Sequence, residues 1–197
     1  MVVANGVRGW LSEVEGRVVA QTSWDDAVQN LGVRFDPAWA RANIGRYLHD
    51  IAGFESSYVL DAYDHPIFAQ AGAKETSPET FRSLTAAAGP LVAKVRAAEQ
   101  AAGGVDWRPG QTKPHAPIQA SAMALVDDLP VVVTASLVQP DLGHVRLPGA
   151  APIVVTVENL NGSAEKVFSD RFLLKNLHIH TAASVNLANE PNEAGVL

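Results

Sequence analysis

The chain has 197 residues, 47% of them apolar and 18% charged, with a net charge of −6 and no cysteine. That is the composition of one globular domain with its own core, not of a disordered segment. It excludes thiol chemistry, cysteine zinc sites and a disulfide scaffold. The lack of a basic cluster removes the Lys/Arg footprint that nucleic acid or an anionic membrane surface demands.

Val3, Val7, Trp10, Leu11, Val14 and Val18 recur at helical spacing and predict one apolar face of a long first helix. It is expected from about residue 3, running on toward Val28, with Gly32 as its C′ stop. "FDPAWARANIGRYLHDIAG" predicts a second helix: Asp36 is the N-cap, Pro37 sits at N1 and Gly53 follows the last turn. "SSYVLDAYDHPIFAQ" then reads as two short strands around a polar turn. Ser77 and Pro78 start a further helix, which Gly89-Pro90 is expected to kink or split. "AAGGVDWRPGQTKPHAP" is a Gly/Pro-rich loop. "IQASAMALVDD", "LPVVVTASLVQP" and "APIVVTVENL" are three strands, the first two joined tightly at 127–130. "SAEKVFSDRFLL" reads as a short helix, "KNLHIHTAASVNL" as a last extended segment, and the tail as polar and loose. Strands group after helices instead of alternating with them, which favours α+β with an antiparallel sheet.

"SWDDAV" before the end of the first helical region, the Asn-containing "WARANIG", the hairpin "SSYVLDAYDHPIFA" and the closing "PIVVTVENLNGSAEKVFSDRFLLKNLHI" together resemble the fourth class of CHASE domains. These are extracytoplasmic sensor domains of bacterial transmembrane receptors, related to the Cache and PAS-like sensors. His65 stands where the family usually has a turn glycine. The resemblance implies a PAS/Cache-like antiparallel five-stranded sheet with a long N-terminal helix and helices packed on the sheet. The division it implies is a signalling helix over 1–34, a sensor core over 35–182 and a juxtamembrane tail over 183–197. It further implies a periplasmic location, with membrane helices outside this chain on either side. Beyond them would lie a cytoplasmic output module, a cyclic di-GMP synthase or phosphodiesterase or a histidine kinase. No run of 18 apolar residues occurs in the chain, and "MVVANGVRGW" lacks the basic start and apolar block of a signal peptide.

The implied ligand cavity lies between the sheet and the crossing helix. Tyr58, Asp61, Tyr63, Phe68, Met123, Thr134 and Ser136 are its expected walls, and Arg82 offers a fork to a carboxylate. Alternation puts Thr134 and Ser136 on one strand face. Trp24, Asp25, Asp26 and Asn43 are structural signature residues. Residues i and i+1 of a helix point about 100° apart, so Asp25 and Asp26 do not form one catalytic dyad. Trp24 is expected between helix and sheet, and one of the two carboxylates on backbone N–H groups, with Thr22 or Ser23 as a cap. Val7, Leu11, Val14 and Val18 are the expected homodimer interface. No catalytic residue, metal or cofactor is expected, and no hydrolase, metalloprotease, P-loop or dinucleotide motif occurs. The alternative reading is a small metal protein or metal-dependent enzyme using Asp25, Asp26 and the "HIH" pair His178 and His180, with Asp61, His65 and His115 as remote ligands.

Overall fold

Caps and turns set the element boundaries in the computed structural model, which describes residues 2–103, 116–141, 145, 147 and 149–160, with side chains from residue 8 onward. Helix α1 spans Val2–Thr22. It stops four residues into the expected continuation because Thr22 O accepts the N–H of Gln139 at 2.9 Å, which fixes the chain beside the end of a strand. Trp24 is then extended (φ −163°, ψ 154°), and α2 (Asp25–Ala27) runs into a π-turn (Val28–Val33) that contains Gly32. Asp36 caps α3 (Pro37–Ala40) as expected, accepting from the N–H groups of Ala38 and Trp39. A second π-turn (Arg41–Arg46) follows before α4 (Tyr47–Asp50).

The strands are β1 (Ser56–Leu60), β2 (Pro66–Ala71), the two-residue β3 (Lys74–Glu75), β4 (Gln119–Val126), β5 (Leu129–Leu137) and β6 (Ile153–Asn159). They form one antiparallel sheet in the order β3-β2-β1-β6-β5-β4. The α+β antiparallel architecture is as expected, with six strands in place of five. Asp127 and Asp128 both have positive φ (50° and 63°), which a two-residue type I′ hairpin between β4 and β5 requires. Ser77 caps a 3-10 helix (Pro78–Leu84) that leads into α5 (Thr85–Ala102), closed by Gly103 at φ 76°. Pro90 lies inside α5, so the division falls at Leu84 instead of at Gly89-Pro90. The short helix, the extended segment and the tail expected after residue 160 lie outside the described residues, as does most of the Gly/Pro-rich loop.

Both faces of the sheet are covered. On one face Val59, Phe68, Val132 and Val154 pack against Trp10, Val14, Val18, Ile44 and Leu48 of the N-terminal helices. On the other, Leu60, Val133, Leu137, Ile153 and Val155 pack against Leu84, Ala88, Leu91 and Val95. Each such buried Val or Leu contributes about 1.5–3 kcal/mol. Val14 and Val18 are therefore not a dimer interface: both are 0% exposed in the chain's own core, and Leu11 packs against the same cluster. The side chain of Val7 is outside the described set.

A polar row crosses the face of the sheet under the N-terminal helices from edge to edge. Cross-strand register aligns Ser121, Thr134, Thr156, Ser57, Gln70 and Glu75, one residue from each strand. At the β4 end Ser121 Oγ donates to Glu15 of α1 at 2.5 Å. At the other end the second π-turn lies along the row. Ser57 Oγ donates to Ile44 O at 2.8 Å, and Arg41 pairs with Glu75 at 2.6 Å. Gly45 sits so close to Gln70 that a Cβ there would collide with Oε1. Between these two covers, Thr134 and Thr156 are fully buried, and their hydroxyls have no hydrogen-bond partner among the described residues.

Candidate functional site

The expected cavity residues separate because successive strand positions face opposite ways. Tyr58 faces α5, whereas Phe68 faces the N-terminal helices. Ser136 shares that N-terminal face with Thr134, and its hydroxyl is 2.9 Å from Thr22 Oγ1 of α1. Asp61 and Tyr63 lie in the β1–β2 turn. Asp61 Oδ1 accepts the N–H groups of Tyr63 and His65, and Tyr63 is 80% exposed. Arg82 is on the surface of the 3-10 helix, and Met123 is 42% exposed on β4. None of the clefts among the described residues set out below joins these eight residues.

The signature residues form a corner instead. The Trp24 ring meets Trp39 at 5.6 Å between centroids, and its indole N–H donates to Gln21 O. Trp24 thus packs at the junction of α1, α2 and α3. Asn43 Nδ2 donates to the backbone carbonyl of Trp39 one turn back. The N-cap of α2 is Trp24, with no side-chain cap bond, so neither Thr22 nor Ser23 caps it. At this helix start Asp25 N–H donates to Asp141 Oδ1 at 3.1 Å. Asp26 is exposed and its carbonyl accepts from Asn30. His115, His178 and His180 lie outside the described residues. Among the described residues no group of three or more His, Asp or Glu is arranged to hold a metal ion.

Clefts of about 480, 300 and 270 Å³ open among the described residues. The first is a surface hollow beside Arg34, Phe35 and Asp36, whose carboxylate is already used as a helix cap. The second lies between Gly32, Ile67 and Asp61, and that carboxylate is engaged in its own turn. The third differs in its chemistry. It is a groove on the α5 side of the sheet, bounded by the 3-10 helix and the β4–β5 hairpin. Its polar rim is Glu55, Ser56, Ser83, Asp127 and Asn159, and its floor includes Leu84, Val131 and Val157. Tyr58 also lines it. That residue is 5% exposed and stacks edge-on to Phe81 at 5.4 Å. An apolar floor with a few polar groups on its rim is what binds small molecules. Of the expected residues, Tyr58 alone lies in this groove. Glu55, Asp127 and Asn159 were missed because their convergence depends on strand register and on the hairpin.

Two polar clusters tie the layers together. Arg96 of α5 bonds to Asp61 O, Asp64 Oδ1, Ala151 O and Glu99 Oε2 at 2.6–3.0 Å, and Glu99 Oε1 accepts the N–H of Ala151 at 2.7 Å. The i,i+3 spacing of Arg96 and Glu99 was the available sequence signal. On the other face Arg17 of α1 pairs with Glu158 of β6, donates to Ala52 O and lies over the Phe54 ring at 4.9 Å.

The match with known families agrees with this architecture. The model of the CHASE4 domain matches residues 11–180. The chain belongs to that family, whose members are extracellular sensory domains of signalling receptors. No curated protein matches it. No helix among the described residues is long and apolar enough to cross a membrane.

Glu158 provides a pH readout of the α1–sheet contact. Burial pushes its carboxyl above the ordinary value of 4.5, and the Arg17 charge and hydrogen bond offset this only in part. Above 4.5 the folded chain holds this proton more tightly than the unfolded chain, so Glu158 adds stability at low pH and loses it as pH rises through the raised value. Glu158→Gln has no such dependence. Its melting temperature should gain on the wild type as pH is raised from about 4.5 toward neutrality. A difference that stays flat, or runs the other way, contradicts a desolvated Glu158.

Proposed function

We propose that this domain is the periplasmic sensor of a bacterial transmembrane receptor and binds a small molecule in the groove between the 3-10 helix and the β4–β5 hairpin. The observation that carries the reading is that groove: an apolar floor on the sheet and a nearly buried Tyr58, rimmed by polar groups. Binding there moves β5 and β6, whose opposite faces touch α1 through Ser136 and Glu158. In this reading α1 carries the change toward the membrane, as a shift between two packings of similar free energy. The output module is a cyclic di-GMP synthase or phosphodiesterase or a histidine kinase, and the domain itself performs no catalysis.

A homodimer through α1 belongs to the same reading, but on the face turned away from the sheet, where Ser12, Gly16 and Ala20 are exposed. The complete coding sequence should show a membrane span on each side of the domain, and light scattering at high concentration should give twice the chain mass. A coding sequence without those spans contradicts the receptor setting. A monomer contradicts the dimer of the isolated domain, although tethering in a membrane raises the effective concentration.

A thermal-shift screen of amino acids, carboxylates, amines and purines tests the groove. Leu129 is half exposed at its lip, so Leu129→Trp fills the groove without opening the core. A compound that raises the wild-type melting temperature should leave Leu129→Trp unmoved. Equal shifts in both proteins place the ligand elsewhere, and no shift from any compound contradicts the ligand sensor.

A further inference from the structure

We infer that the groove is built for a small organic cation carrying a primary ammonium group. The inference rests on the reading of this groove as the ligand site and adds the chemical class. Two carboxylates, Glu55 and Asp127, stand on its rim, and no Lys, Arg or His lines it. Among the described residues neither carboxylate has an ion-pair partner. An anion placed here would meet two like charges and no counter-charge, whereas a cation is attracted by both.

The second observation is Tyr58. The residue is 5% exposed, yet its hydroxyl has no hydrogen-bond partner among the described residues. Its oxygen is also not among those sealed from solvent, and the residue lines the groove. Water therefore reaches this oxygen in the free protein, and a ligand N–H takes that water's place.

The two observations together select the donor. An ammonium group presents three N–H donors and no acceptor. Glu55, Asp127, Tyr58, Asn159 and Ser56 line the groove, and each has a side-chain oxygen able to accept. A quaternary ammonium has no N–H and leaves the Tyr58 oxygen unpaired. A divalent metal ion asks for six or more oxygen ligands. Here half the wall is Leu84, Val126, Leu129, Val131 and Val157. That apolar half calls for a hydrocarbon chain on the cation. At about 270 Å³ the groove is slightly below the range for drug-sized ligands, so the cation is small.

The test is isothermal titration of the 197-residue chain at pH 7 with n-butylamine, and in parallel with choline chloride, sodium butyrate and calcium chloride. Butylammonium should bind saturably and the other three should not. Glu55→Gln and Asp127→Asn should each weaken it at least about tenfold, the scale of one charge-assisted hydrogen bond. Asn tolerates the positive φ at position 127, so that variant keeps the turn. Tyr58→Phe keeps the ring against Phe81 and should weaken binding as well. No saturable binding of butylammonium, or unchanged affinity in both carboxylate variants, overturns the inference. Butyrate or choline binding to the wild type but not to Leu129→Trp overturns the cation class and leaves the groove as the ligand site. Butylammonium binding that Leu129→Trp does not disturb overturns the groove itself.

Discussion

The fold depends on how its helices cover a sheet face that is not uniformly apolar. Six side chains from six strands, Ser121 through Glu75, line up in one polar row, and every covering element must meet it. Buried polar groups are expensive unless paired. α1 meets one end with Glu15, and the second π-turn meets the other with a carbonyl, a glycine and Arg41. A π-turn inserts one extra residue into a helix and is found disproportionately at functional sites. Here it brings the Gly45 backbone against Gln70, where any side chain would collide. The middle of the row lies where the two covers meet, and there Thr134 and Thr156 have no hydrogen-bond partner among the described residues.

This arrangement holds α1 at particular points instead of along its length. Val14 and Val18 supply apolar contact, while Thr22–Ser136, Glu15–Ser121 and Arg17–Glu158 set its position. The opposite face is different. There α5 packs on an unbroken apolar surface and is clamped by Arg96 and Glu99 to the β1–β2 turn and to the start of β6. One layer is therefore firmly fixed and the other sits on a seam with unmet hydrogen bonds. Packed layers pass between discrete arrangements, and a seam whose native contacts are incomplete has a smaller gap to a second one. The groove lies on the fixed face and α1 on the seam, with the strands β5 and β6 common to both.

Much of this fold was legible in the chain. Asp36-Pro37 and Ser77-Pro78 mark their helix starts because a cap side chain and a proline without an N–H each suit one terminal position. Thr134 and Ser136 share a face because strand alternation is local. The end of α1 was not legible, since a strand remote in sequence captures Thr22 O. Nor were the π-turns, whose extra residue answers to Gln70 and Ser57 from another part of the chain. The candidate site divided for the same reason. Whether Tyr58 and Thr134 face the same side depends on the register of β1, β6 and β5, which no short segment encodes. Val14 and Val18 showed an apolar stripe, but a stripe does not say whether it meets a second chain or its own sheet.

The central claim is that the seam under α1 is incompletely satisfied, and the direct measurement is thermal unfolding of Thr134→Val/Thr156→Val. Valine keeps the shape and removes both hydroxyls. If neither hydroxyl has a partner, the double variant should be more stable by about 1–2 kcal/mol, a rise in melting temperature of roughly 2–8 °C for a domain of this size. A lower melting temperature than the wild type would show that the two hydroxyls are bonded and that the seam is complete, contrary to this account.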